Sequence, residues 1–149
     1  IVIQPVGHTG PGQPPRFSIP SFAKQIVEME KSDETELRVG NLDVVRDILD
    51  VRDVVKFYHK IIKEKPSGFK KVILGSGEEN NYKELVNKMV ELSQKNGIRV
   101  VVDPERLRPV DNPYVVASPS YAMAKLGWHK NISLEETLRD MLDYWRKRT

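Results

Sequence analysis

The 149-residue sequence predicts an α/β protein with parallel strand pairing. Three observations carry this. Short β-branched runs alternate with longer stretches of helical apolar period, the helical stretches carry caps or terminal glycines, and a glycine-rich loop follows the first strand-forming run.

Ile1 to Ile3 are continuous β-branched residues, the pattern of a parallel strand covered on both faces, so a buried strand is expected there. Pro5, Gly7, Gly10, Pro11, Gly12, Pro14 and Pro15 then argue against regular structure. Phe17, Phe22, Ile26 and Met29 fall near one helical face, and Glu36 to Val39 form a short strand ending at Gly40. Asp50 is an N-cap candidate with Asp53 three residues on, and Val54, Val55, Tyr58, Ile61 and Ile62 make an amphipathic helix behind it.

Lys71 to Leu74 read as a strand closed by the Gly75-Ser76-Gly77 turn. Asn81 caps a helix with the stripe Tyr82, Leu85, Val86, Met89 and Val90; Gly97 stops it, and Ile98 to Val102 supply another strand. Pro104, Pro109 and Pro113 mark an irregular connection, followed by a short helix from Ser120 to Leu126 that Gly127 ends. Ser133 and Glu136 form a capping box for the last helix, whose apolar face is Leu134, Leu138, Met141, Leu142 and Trp145. Its end carries Arg146, Lys147 and Arg148, where the helix dipole favours cations.

Composition narrows the function classes. There is no cysteine, which excludes disulfides and thiolate metal sites and fits a reducing compartment. Twenty-four basic against 21 acidic side chains, dispersed along the chain, are too weak a signal for nucleic acid. No apolar run reaches membrane-spanning length and no signal-peptide pattern opens the chain, so a cytoplasmic protein without membrane contact is expected. No metal site is expected.

Loops after the C-terminal ends of parallel strands are where α/β proteins bind ligands, and Gln4 to Phe17 is such a loop. Its glycines let a ligand approach the backbone, and His8, Thr9 and Gln13 are the side chains able to hydrogen-bond into a site. Composition alone leaves a ligand loop and a proline-stiffened crossover evenly matched.

Read together, "QPVGHTGPGQPPRF" (Gln4 to Phe17), "VGNLDVVRDILDVRDVV" (Val39 to Val55), "DPERLRPVDNP" (Asp103 to Pro113) and "LGWHKNISLEETLRDMLDYWR" (Leu126 to Arg146) carry a resemblance from residue 1 to the end. The chain resembles the carboxy-terminal, substrate-binding half of extended short-chain dehydrogenase/reductases acting on nucleotide sugars, the GDP-mannose 4,6-dehydratase and GDP-4-keto-6-deoxy-mannose reductase group. "HTGPGQ" is similar to the reductase branch. The resemblance implies the C-terminal portion of an NAD(P)-binding Rossmann-type fold, with residues 1–4 the last part of the Rossmann sheet and residues 5–149 one nucleotide-sugar-binding region.

It further implies that the Gly-rich fingerprint, the Ser/Thr and the Tyr-x-x-x-Lys pair precede Ile1, so no catalytic residue is assigned in this chain. Tyr121 and Lys125 have the spacing but the wrong place. NADP is expected for the complete enzyme and none for this chain alone. Arg46 and Arg108 are implied at the diphosphate and Asp111 at the ribose hydroxyls. Asn41 belongs to the same family phrase, and His8 and Thr9 are implied beside the nicotinamide and the sugar. Lys24 or Gln25 approaches the nucleotide, with the choice between them open.

Asp50, Arg52 and Asp53 read as helix capping and surface pairing, Trp128 and Trp145 as packing, and His59 and His129 as surface residues. Two departures stand out: Gln4, Pro5, Val6 and Gly7 replace the family's Arg-Pro-Phe-Asn, and Ala117 to Ala122 replace Gly-Asp-x-Ser-Lys-Ala. The expected partners are a GDP-sugar, a Rossmann half supplied on the same protein or by a separate chain, and further copies of this chain through exposed strands. A non-catalytic binding or scaffold module is the alternative reading.

Overall fold

The computed structural model describes residues 1–68, 71–107 and 111–149. Its first half runs β1 (Val2–Pro5), β2 (Gly7–Thr9), α1 (Ser18–Glu30), β3 (Glu36–Val39), β4 (Val45–Arg46), β5 (Ile48–Asp50) and α2 (Val51–Glu64). The second half runs β6 (Lys71–Leu74), β7 (Asn80–Asn81), α3 (Tyr82–Glu91), β8 (Arg99–Val102), β9 (Tyr114–Val115), α4 (Ser120–Leu126) and α5 (Leu134–Arg146). Pairing is parallel for β1 with β6, β2 with β5, β3 with β8 and β4 with β9; β4 with β7 is antiparallel.

The period-2 alternation of β5 organises the interior. Ile48 points into a cluster built from α1, β3, α3 and α5, including Ile26, Leu37, Met89 and Leu142. Leu49, its neighbour, points into a second cluster with Phe57, Leu74, Leu126 and Trp128 from α2, β6, α4 and the turn after α4. One three-residue strand thus forms the wall between two apolar layers.

The predicted caps are present. The Asp50 carboxylate accepts from the Arg52 amide (2.7 Å), Asn81 from that of Lys83 (2.9 Å) and Ser133 from that of Glu136 (3.1 Å). Gly127 closes α4 in the left-handed conformation at φ +62°. Arg146 does more than complement a dipole: its guanidinium donates to both oxygens of the largely buried Glu30 carboxylate at 2.7 and 2.9 Å, joining α5 to α1. His59 and His129 are exposed, and Trp128 packs edge-on against Phe57 while donating to the Gly75 carbonyl (2.7 Å).

Three expectations are corrected. Ile1 and Val2 are exposed and Ile3 half-buried, because β1 pairs along one edge only, with β6, among the described residues. Gly7–Thr9 is strand rather than irregular loop, since its three residues contain no proline and their backbone pairs in register with Ile48–Asp50. Asp53 is no surface residue: at 1% exposure its carboxylate accepts from the Asn131 and Ile132 amides (2.8 and 2.9 Å), pinning the turn that leads into α5. Arg108 and Pro109 lie outside the described residues. No helix among the described residues is long and apolar enough to cross a membrane.

Candidate functional site

β4 is the fixed point of the site. The Val45 and Asp47 amides donate to the Pro113 and Val115 carbonyls (2.8 Å each), and the Arg46 carbonyl accepts from the Asn80 side chain (3.1 Å). Flanked in this way by β7 and β9, the segment holds the Arg46 side chain in the wall shared by two cavities.

The first cavity, of about 420 Å³, brings together Asn41 and Arg46 of one segment and Asp111 of another, three residues that the sequence nominates. The Arg46 guanidinium donates to Asp111 Oδ1 and to the Val45 carbonyl, both at 2.9 Å, and the Asn41 amide reaches the other Asp111 oxygen at 3.5 Å. Arg16, Ser18, Ser21, Tyr82 and Arg106 complete the polar lining, which thus holds three arginines and one carboxylate, with Arg46 the arginine paired to Asp111. Such a lining suits an anion.

The second cavity, of about 490 Å³, is lined by His8, Thr9, Gln13, Ile48 and Tyr82. His8 is exposed, with Nδ1 3.2 Å from the Val6 carbonyl, so its ring nitrogen donates there and leaves Nε2 for a ligand. Thr9 is buried, its hydroxyl donates to Gln13 Oε1 (2.6 Å), and the Gln13 amide donates to the His8 carbonyl (3.4 Å). Thr9 and Gln13 therefore brace the loop. Gly10 fits beneath it because a Cβ would lie 2.8 Å from Val51 Cγ1.

Lys24 and Gln25 stand apart from both cavities. Lys24 pairs with Glu28, while the Gln25 amide accepts from the Arg38 amide and donates to its carbonyl (3.1 Å each), tying α1 to β3. It is Ser18, Ser21 and Phe22, from the first turns of the helix, that α1 presents to the first cavity. Arg108 is outside the described residues.

Sequence reasoning missed Asp47, Arg106 and Arg16. Asp47, 1% exposed, accepts from the Ser76 amide (3.0 Å), the Ser76 hydroxyl (2.7 Å), the Gly77 amide (3.0 Å) and more distantly the Ala117 amide (3.4 Å). A buried carboxylate needs such a set of donors. Gly75 makes room for it, since a Cβ there would be 2.4 Å from Asp47 Oδ2. The available signal was a charged pair, Arg46 and Asp47, set between the apolar pairs Val44-Val45 and Ile48-Leu49.

The chain is 33% identical over 149 residues to GDP-6-deoxy-D-mannose reductase of Pseudomonas aeruginosa, covering 99% of this chain and 48% of that protein. Among solved structures, RMD from Pseudomonas aeruginosa complexed with NADPH superposes with a TM-score of 0.89 at 32% identity, over 99% of this chain and 48% of that one. A putative epimerase from Burkholderia cenocepacia superposes at 0.83 with 28% identity, over 97% and 46%. The chain spans about half the length of each of these relatives. The family model described as GDP-mannose 4,6 dehydratase matches residues 2–141, and the chain, an α/β portion of an extended short-chain dehydrogenase/reductase, belongs to that family.

Proposed function

We propose that the chain is the nucleotide-sugar-binding portion of an NADP-dependent enzyme acting on a GDP-sugar, of the GDP-4-keto-6-deoxy-mannose reductase or GDP-mannose 4,6-dehydratase kind, with the reductase favoured. The observation that supports this best is the meeting of Asn41, Arg46 and Asp111 around one cation-rich cavity of about 420 Å³. Arg46 is assigned to the diphosphate, where paired guanidinium N–H groups match phosphate oxygens, and Arg108 is assigned beside it. Asp111 is assigned to the ribose hydroxyls once an anion has taken its place on Arg46. His8, exposed at the rim of the neighbouring cavity, is assigned to the junction of sugar and nicotinamide.

In such an enzyme the cofactor would carry the hydride, NADPH donating it to a keto sugar in a reductase and NADP+ taking it up and returning it in a dehydratase. Of the residues present, His8 at the rim of the second cavity suits the nicotinamide edge of that group, and the sequence carries no G-x-G-x-x-G fingerprint for its pyrophosphate. This chain alone is therefore assigned substrate binding and positioning, with the dinucleotide cradle, tyrosine and lysine provided by a Rossmann half. A binding module without turnover is the second reading, favoured by Gly7, which lines the second cavity with no side chain. Calorimetric titration with GDP tests the site: saturable binding weakened by Arg46→Ala and by Arg108→Ala is expected, and no heat at millimolar GDP would refute the nucleotide assignment. Turnover with NADPH on adding a Rossmann half separates the enzyme from the binding module.

A further inference from the structure

We propose that Arg106 is a further anion-binding residue of this site, placed to hold the phosphates of a nucleoside diphosphate together with Arg46; the proposal rests on the nucleotide-sugar reading. Arg106 ends the single 3-10 turn Pro104–Arg106, which Asp103 caps by accepting from the Glu105 amide (3.0 Å). This turn is pressed onto Gly40. A Cβ built on Gly40 would lie 2.6 Å from the Arg106 carbonyl oxygen, so a larger residue there would push the turn and its arginine away. A close approach between two backbones, in the same phrase that carries Asn41 and Arg46, thus sets where the Arg106 side chain starts.

The side-chain contacts separate the arginines of the cavity. Arg46 is engaged at 2.9 Å by Asp111 and by the Val45 carbonyl. Arg16 leans over the Phe17 ring at 5.2 Å. Arg106 has looser partners: its Nη1 donates to the Ser21 hydroxyl at 3.3 Å, and its Nε stands 3.4 Å from Asp103 Oδ2, with the side chain 42% exposed. An incoming phosphate replaces these long contacts at little cost, whereas on Arg46 it must displace a close carboxylate. A diphosphate also spreads its charge over two phosphorus centres, more than one guanidinium spans, and Arg106, lining the same cavity as Arg46, adds a cation to the Arg46 and Arg108 already assigned there. Arg106 therefore gives the site a preference for a phosphorylated nucleoside over the bare nucleoside.

The full chain and its Arg106→Gln variant are titrated with GDP by calorimetry and with guanosine by NMR shift changes. Arg106→Gln is expected to weaken GDP by about tenfold or more and to leave guanosine within about twofold. Unchanged GDP affinity, or an equal loss for GDP and guanosine, overturns the role of Arg106 while the nucleotide reading stands. A wild-type chain that fails to bind GDP overturns both.

Discussion

Arg46 Nη2 and Asp111 Oδ1 are 2.9 Å apart, with the side chains 20% and 26% exposed, although 65 residues separate them in sequence. In the site as it stands, a carboxylate of the protein occupies the guanidinium proposed for the diphosphate. Partly exposed pairs of this kind contribute roughly 1 kcal/mol or less to stability. Arg46→Ala is accordingly expected to lower unfolding free energy by no more than about 1 kcal/mol in urea while weakening GDP at least about tenfold by calorimetry. A large stability loss with unchanged GDP binding would mark Arg46 as structural.

Asp47 is the opposite case, a buried carboxylate whose partners are amides and a hydroxyl rather than a cation. Asp47→Ala strands those donors and is expected to cost about 3 kcal/mol in urea unfolding. Gly75→Ala forces a methyl group against Asp47 Oδ2 and Ala117 Cβ, the latter at 2.6 Å, and is expected to cost about 1 to 3 kcal/mol. Wild-type stability in either variant would show that this network carries no stability.

Acid should loosen the seams around α5. Burial by itself pushes the Asp50 carboxyl up, but hydrogen bonds from the Arg52 side chain and amide and from Thr137 outweigh it and hold it below its ordinary value of 3.8. Burial likewise pushes Glu30 up, and Arg146 with the Gln94 amide outweighs it, holding Glu30 below 4.5. A carboxyl whose folded pKa is depressed adds stability that is complete above its unfolded pKa and disappears as pH falls through the folded one. This contribution to Tm is therefore expected to be flat above about pH 5 and to fall below about pH 4, with a shallower fall in Asp50→Asn. Parallel Tm curves for the two proteins across that range would contradict it.

Val100, Val101 and Val102 are exposed on β8, whose one strand partner among the described residues is β3, and Val2 of β1 is exposed together with Ile1 before it. Unpaired edges bearing apolar side chains promote strand addition. The 149-residue chain is expected to self-associate in light scattering, and Val101→Lys to shift it towards monomer. A monodisperse wild-type monomer would count against this.

Local patterns made the order of elements legible. Asp50, Asn81 and Ser133 cap helices by short-range hydrogen bonds that need only neighbouring residues, and the apolar stripes of α3 and α5 have one period each; on α2 the buried apolar face is Val54, Phe57 and Ile61, while Val55 and Ile62, expected in the stripe, are exposed. Burial was not legible at Ile1 and Val2, because it depends on which strands lie alongside. The site divides in the same way. Asn41, Arg46 and Asp111 stand in phrases with a family pattern and meet in space; Lys24 and Gln25 lie on a helix whose rotation depends on the packing of Phe22 and Ile26, and that packing presents Ser18 and Ser21 instead. Asp47 and Arg106 went unread because their partners, the 75–77 turn and Gly40, lie about 30 and 65 residues away.

β5 has a mechanical consequence. Since Ile48 anchors one apolar layer and Leu49 the other, neither layer can shift without dragging the strand, and Arg46 lies two residues upstream of Ile48. Trimming a remote side chain such as Phe57 or Met89 would then misplace a guanidinium it never touches, making ligand affinity a gauge of how tightly both halves of the interior are joined.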